Sequence, residues 1–216
     1  MPITAGAITC RLYEVAKPPK GSFLAEIGSD LKRHAFHPVQ VERSPRSIGW
    51  VNPRDILDTD LKVEKVVFED FLVLGLRVDK VGVNARLLKA YFHQERQKLL
   101  EQRSKKELNR DERMALLEKV KIQLMARQSP ATSLYEMSWN LRSHHVLFSA
   151  SSTTLNQEFM DLFSDTFHTG LTPLMPSIRA HAKAEKEGLL EEFQMTEPAH
   201  FSPLARVHEA GGGGDE

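Results

Sequence analysis

Apolar and polar residues alternate at the start of the chain. Ile8, Cys10 and Leu12 fall on one side, Thr9, Arg11 and Tyr13 on the other. A period of two predicts a half-buried strand, with Cys10 as a small core residue. Residues 16–30 then carry Pro18, Pro19, Gly21 and Gly28, which should interrupt any short helix with loops. The stretch SIGWVNPRD, Ser47 to Asp55, reads as a strand or extended segment ending in a turn at Asn52-Pro53. Residues 63–81 are rich in Val, Leu and Phe. They predict two strands broken near Glu69-Asp70, the second carrying Leu72, Leu74, Leu76 and Val78 on one face.

The period then changes. Asn84 can cap a helix whose apolar stripe is Leu88, Phe92 and Leu99, flanked by Leu87 and Tyr91. The stripe fades at Gln102-Arg103, and Asn109 with Glu112 forms a capping-box signature for a second helix carrying Met114, Leu117, Val120 and Leu124. Ser129-Pro130 should end it, because the residue before proline disfavours helix. Residues 84–127 therefore read as a helix pair, or as one bent helix. Ser133 to Ser151 reads as a β-hairpin with Leu134, Met137 and Trp139 on one arm and Val146 and Phe148 on the other. Thr153 or Thr154 then caps an amphipathic helix with Leu155, Phe159, Leu162, Phe163 and Phe167, closed by Gly170. Beyond Pro176 the apolar density falls, with one short helix near 178–192 before an acidic, glycine-rich end. The expected organisation is α+β: antiparallel strands and hairpins, a long basic helix pair and a further amphipathic helix over residues 1–176, then a polar and largely flexible tail over 177–216.

Charge changes this picture. The chain has 29 Lys and Arg against 29 Asp and Glu, a formal net charge of zero. The balance is uneven: residues 80–127 hold 13 basic and 6 acidic residues, and residues 181–216 hold 3 basic and 8 acidic. The first segment alone is therefore at +7 and the last at −5, a separation that creates local fields the total conceals. The basic residues centre on the QRSKKELNR joint between the two helices. Such a surface suits a polyanion. Phosphate backbones reward it through counterion release without reading sequence, and few aromatics are available for extensive base stacking.

Other chemistry finds less support. No run approaches the ~20 apolar residues of a membrane helix, and the N-terminus lacks the charged-then-apolar pattern of a signal peptide. The single cysteine, Cys10, allows no internal disulfide or thiolate zinc site, which fits a reducing cytoplasm. GLRVDKVG lacks the order of a phosphate loop, and no dinucleotide fingerprint is present. His144 and His145 are adjacent, so on a strand they would point to opposite faces and serve one ion poorly; they read as turn or surface histidines. No cofactor is called for. A magnesium nuclease would need gathered carboxylates, for which Asp58, Asp60, Glu69 and Asp70 are the candidates. A protein-interaction module using the apolar stripe of the helix pair is the other alternative.

The collinear set AITCRLYEV, IGWVNP, the VDKVGVNARLLKAYFHQERQ segment with its basic joint, the EMSWNLRSHHVLFSASST hairpin and the helix ending LTPLMP resembles the bacterial RdgC family over roughly residues 6–176. Members of that family are sometimes labelled exonucleases. The resemblance implies a nucleoid-associated DNA-binding protein that assembles as a ring-shaped dimer around duplex DNA, binds with little sequence preference and antagonises RecA in recombination. It places the DNA contacts on Lys80, Arg86, Lys89, Arg96, Lys98, Arg103, Lys105, Lys106, Arg110, Arg113, Lys119, Lys121 and Arg127. One side of a helix faces a partner, so only about half of these can contact phosphates, giving roughly five to eight contacts. The family's longer members carry another structured region beyond Pro173–Pro176, where the present sequence turns polar. That departure bears on how a ring would close.

Overall fold

The computed structural model describes residues 9–17, 23–104 and 106–196. It divides into two compact units, residues 1–173 and 174–216.

The first unit is built on one antiparallel sheet. Its strands are β1 (Arg11–Val15), β2 (Arg46–Val51), β3 (Val67–Phe68), β4 (Phe71–Lys80), β5 (Ala131–Asn140), β6 (His145–Phe148) and β7 (Leu171–Pro173). The order is β2-β4-β5-β6-β1-β7, with β3 paired to β4. The fold is α+β, as the segment pattern implies. The helices of this unit are α1 (Phe23–Arg33), the single turn α2 (Val63–Val66), α3 (Ala85–Arg103), α4 (Arg110–Ala126) and α5 (Thr153–Phe167).

Alternation decides which face of the sheet is buried. Leu72, Leu74, Leu76 and Val78 of β4 join Trp50 of β2, Met137 and Trp139 of β5, and Val146 and Phe148 of β6 in one core. Helix α5 covers this core with Leu155, Phe159, Phe163 and Phe167. Phe148 and Phe159 stack at 3.9 Å between ring centroids, and Trp139 lies 5.3 Å from both Phe163 and Phe167. Several buried polar groups of this layer are paired, although the Trp139 Nε1 has no hydrogen-bond partner among the described residues. Thr166 Oγ1 accepts from Trp50 Nε1 at 2.8 Å and donates to the Leu162 carbonyl. Asn156 Oδ1 accepts from the Tyr13 hydroxyl, and Asn156 Nδ2 donates to the carbonyls of Ala150 and Ser152.

The structure corrects the expected face of β1. Tyr13 and Val15 are the buried residues of that strand, and Cys10 is exposed ahead of it. Tyr13 wins the core position because its ring packs on Phe159 while its hydroxyl finds Asn156. The expected loops of residues 16–30 also give way, since α1 runs straight through Gly28. Phe23, Ile27 and Leu31 recur every fourth residue and belong to the core, which outweighs the cost of one glycine. The strand expected from residue 63 begins at Val67, after α2. The break at Glu69-Asp70 is a tight turn with Glu69 at φ 52°. Ser152 caps α5, ahead of Thr153 and Thr154, and His168 at φ 54° ends it in place of Gly170.

Gly49 shows why a glycine precedes Trp50. The segment at Ala35 pairs parallel with Trp50, and Phe36 N–H donates to the Trp50 carbonyl at 2.8 Å. A Cβ on Gly49 would lie 2.5 Å from Phe36 Cα and 2.7 Å from its nitrogen. Backbone cannot move aside as a side-chain tip can. Gly49→Ala is therefore expected to lower stability by about 3 kcal/mol, at the upper end of overpacking costs. Thermal unfolding checks this, and an unchanged midpoint would mean that the pairing at Ala35 is absent in solution. The same close approach lays the Phe36 ring 4.2 Å from the guanidinium of Arg77, the residue opposite Gly49 on β4.

The second unit contains α6 (Pro176–Glu187) and α7 (Leu190–Gln194), so the segment expected to be a polar tail starts with two helices. Pro176 stands at the first helical position, Gly188 ends α6 at φ 73°, and His181 meets Phe193 edge-on. The acidic, glycine-rich end beyond residue 196 lies outside the described residues, as do Ile8 and the residues before it.

Candidate nucleic-acid interface

Strands β4 and β5 pair along ten residues, from Phe71 opposite Asn140 to Lys80 opposite Ala131. Helices α3 and α4 are inserted between the Lys80 and Ala131 ends, so they form an arm leaving one end of the sheet. The arm is two helices and not one bent rod. Ser104 closes α3 in the left-handed region at φ 50°, and Asn109 with Glu112 forms the complete capping box that starts α4. Asn84 caps α3 by accepting from the amides of Arg86 and Leu87. The seam of the arm has its own small core of Phe92, Leu116, Val120 and Leu124, flanked by Leu88, Leu99, Leu108 and Leu117.

This seam fixes where the charges point. In an antiparallel pair, turning in the same angular sense from the seam reaches the same side of both helices. On α3 one such turn meets Arg86, Lys89, His93 and Arg96, spaced i, i+3, i+7, i+10; on α4 it meets Arg110 and Lys121. Glu101 and Asp111 fall on the backs of their helices, and Glu118 stands at the edge of this flank, where it reaches Lys121 at 3.5 Å. The opposite flank is a groove lined by Tyr91, Gln94, Glu95 and Lys98 from α3 and Val120, Gln123, Leu124 and Arg127 from α4. Its charges are mixed. Lys98 pairs with Glu95 at 2.7 Å, and Glu95 is held below its ordinary pKa first by that hydrogen bond and also by the charge of Lys119.

The structure thus sorts the thirteen sequence candidates. Arg86, Lys89, Arg96 and Arg110 share one flank and have no carboxylate within 4.0 Å among the described residues; Arg86, Lys89 and Arg110 are exposed and Arg96 half-buried. Lys121 sits beside them but reaches Glu118 at 3.5 Å. Arg103 bridges the tip to Glu112 at 2.9 Å, and Arg113 folds inward over the Phe92 ring. Lys98, Lys119 and Arg127 belong to the other flank, Lys106 to the tip and Lys80 to the root. Lys105 lies outside the described residues. His93 is on the basic flank and was not among the candidates; its spacing from Lys89 and Arg96 was the available signal.

Two of these placements oppose helix stability. Arg86 lies in the first turn of α3, which has no acidic residue, and Arg110 opens α4. Cations at a helix N-terminus are repelled by the macrodipole, whereas an anion there is attracted. The first turn of α4 also carries Asp111 and Glu112, which offset Arg110, so the unanswered cation at a helix start is Arg86.

Three of the four alternative carboxylates, Asp58, Asp60 and Asp70, are engaged with cations. Lys65 Nζ lies 2.9 Å from Asp58 and 3.2 Å from Asp60, Lys62 also reaches Asp60, and Asp70 pairs with Arg142 at 2.8 Å. Among the described residues no group of three or more His, Cys, Asp or Glu gathers where it could hold a metal ion. His144 sits at φ 59° in the β5–β6 turn and His145 opposite Glu14 in β6; both are half-buried, and the His144 Nδ1 has no hydrogen-bond partner among the described residues. The Lys65 hydrogen bond, helped by Asn52, lowers the Asp58 pKa to about 2. The folded value lies below the unfolded one of about 3.9, so this contribution to stability is present above pH ~4 and is lost as pH falls through about 2. A carboxyl-carbon NMR titration checks this. Lys65→Met should return Asp58 toward the ordinary carboxylate range, and an unmoved titration would remove Lys65 as the cause.

No helix among the described residues is long and apolar enough to cross a membrane. No curated protein matches the chain. A family model does match, over residues 9–186, and its description is "Putative exonuclease, RdgC". With the match spanning most of its length, the chain belongs to the RdgC family.

Proposed function

We propose that this protein binds duplex nucleic acid through the flank of the arm that carries Arg86, Lys89, Arg96 and Arg110, and that it acts in homologous recombination by occupying DNA. The observation that carries this reading is the basic flank: Arg86, Lys89, Arg96 and Arg110 have no carboxylate within 4.0 Å among the described residues and Lys121 alone reaches one, while the cations of the opposite flank are paired or interspersed with acids. The contact is electrostatic. Each guanidinium or ammonium takes a phosphate oxygen and releases a condensed counterion, so affinity depends on salt and hardly on sequence. A homodimer would present two arms to one duplex and raise affinity through effective concentration. Competition with RecA for the duplex follows from such occupancy. Binding is favoured over cleavage because Asp58, Asp60 and Asp70, the carboxylates a nuclease reading would use, are tied to Lys65, Lys62 and Arg142.

Fluorescence anisotropy with two unrelated duplexes, at several salt concentrations and with or without magnesium, tests the reading. Four to six phosphate contacts predict a slope of log affinity against log salt of about −4 to −5, equal for both sequences, with intact DNA recovered. Absence of binding at low salt would overturn it. Magnesium-dependent shortening of the duplex would replace it with the nuclease.

A further inference from the structure

The inward face of the sheet does not stay apolar to its end. Along β4 the core row Leu72, Leu74, Leu76, Val78 continues to Lys80. On β2 the row Trp50, Ile48 continues to Arg46, and on β5 Trp139, Met137 and Tyr135 continue to Ser133. Arg46 and Lys80 are directly opposite each other in the β2–β4 ladder, so both side chains lie on the same face. Like charges so placed repel unless something negative stands between them. One carboxylate, Glu158 of α5, pairs with Arg46. Lys80 has no acidic partner among the described residues, and the Arg46 Nε is buried without a hydrogen-bond partner.

These groups surround a cleft of about 300 Å³ at the root of the arm. Arg46, Lys80 and Glu158 line it together with the hydroxyls of Ser133, Tyr135, Ser152 and Thr154. The Ser133, Tyr135 and Thr154 hydroxyls have no protein hydrogen-bond partner among the described residues. Two cations and one carboxylate leave one positive charge, and the hydroxyls add neutral donors: the complement of a phosphodiester, with one negative charge and several acceptor oxygens.

We infer that this cleft seats a phosphate group of the bound nucleic acid, fixing the duplex at the root of the arm while the basic flank follows its backbone. The inference rests on the nucleic-acid reading of the arm. It adds a discrete, partly enclosed contact to an otherwise diffuse surface.

The test is NMR on the full chain, following the Arg46 Nε–H resonance and the Ser152–Leu155 amides. Inorganic phosphate should shift them saturably, beyond chloride at equal ionic strength, and the duplex should shift the same set. Lys80→Ala should weaken phosphate binding about tenfold, the loss of one charge-assisted hydrogen bond. Arg86→Glu with Lys89→Glu should weaken the duplex and leave the phosphate response intact. If phosphate and chloride act alike, the cleft is no phosphate site, and the arm stands or falls on its own salt slope. A response to inorganic phosphate with none to bound duplex would overturn the nucleic-acid assignment and leave a small-anion site. If the duplex fails to bind at all, the arm reading fails, and this inference fails with it.

Discussion

Replacing Arg86, Lys89, Arg96 and Arg110 together by glutamate should abolish measurable duplex binding at moderate salt, an affinity loss of more than about a hundredfold. None of the four has a carboxylate within 4.0 Å among the described residues, so each reversal turns an attraction into a repulsion without breaking an ion pair. The salt slope should flatten by about 0.9 for every phosphate contact removed, close to its whole value if all four engage. The control lies on the same helices. Lys98→Glu with Lys119→Glu changes charge by the same amount per residue but on the flank where Glu95 already compensates both. That variant should bind within a few-fold of the parent. The arm should remain helical in both, because the seam residues Phe92, Leu116, Val120 and Leu124 are untouched. Equal losses in the two variants would mean that the arm attracts DNA only through its net charge, and the assignment to one flank would fall.

Phe159→Ala should be the most damaging single substitution in the core. Phe159 has no exposed surface and its ring meets those of Tyr13, Trp50, Phe148 and Phe163, the stacked Phe148 most closely. It joins β1, β2 and β6 to α5, so the cavity left behind is walled by several elements and cannot collapse by one side chain moving. The expected loss is about 3 to 5 kcal/mol. Against a domain stability of about 5 to 15 kcal/mol this lowers the thermal midpoint by about 10 °C or more. Phe159→Leu keeps most of the volume and should cost about 1 to 2 kcal/mol. Denaturant unfolding of both variants checks the ratio. Similar small losses would show that the stack is loosely packed in solution.

Sequence by itself determined the elements whose cause is local. The capping residues Asn84 and Asn109 with Glu112, the run Leu72 to Val78 and the turn at Glu69-Asp70 are set by hydrogen bonds and periodicity within a few residues. The concentration of positive charge between residues 80 and 127 was equally legible, because charge is additive along a chain. Tertiary structure decided the rest. Tyr13 took the core position from Leu12 because Phe159 and Asn156 wait 146 and 143 residues away. Helix α1 formed through Gly28 because Phe23, Ile27 and Leu31 had a core to enter, which no local rule at Pro18, Pro19 or Gly21 reveals. The basic residues acquired a direction only when Phe92 met Leu116, Val120 and Leu124 across the arm, since rotation about a helix axis is set by what the other side packs against. Arg46 and Lys80, 34 residues apart in the chain, became neighbours only through the register of β2 on β4. Pairing between distant strands is the one property here with no trace in either partner's local sequence.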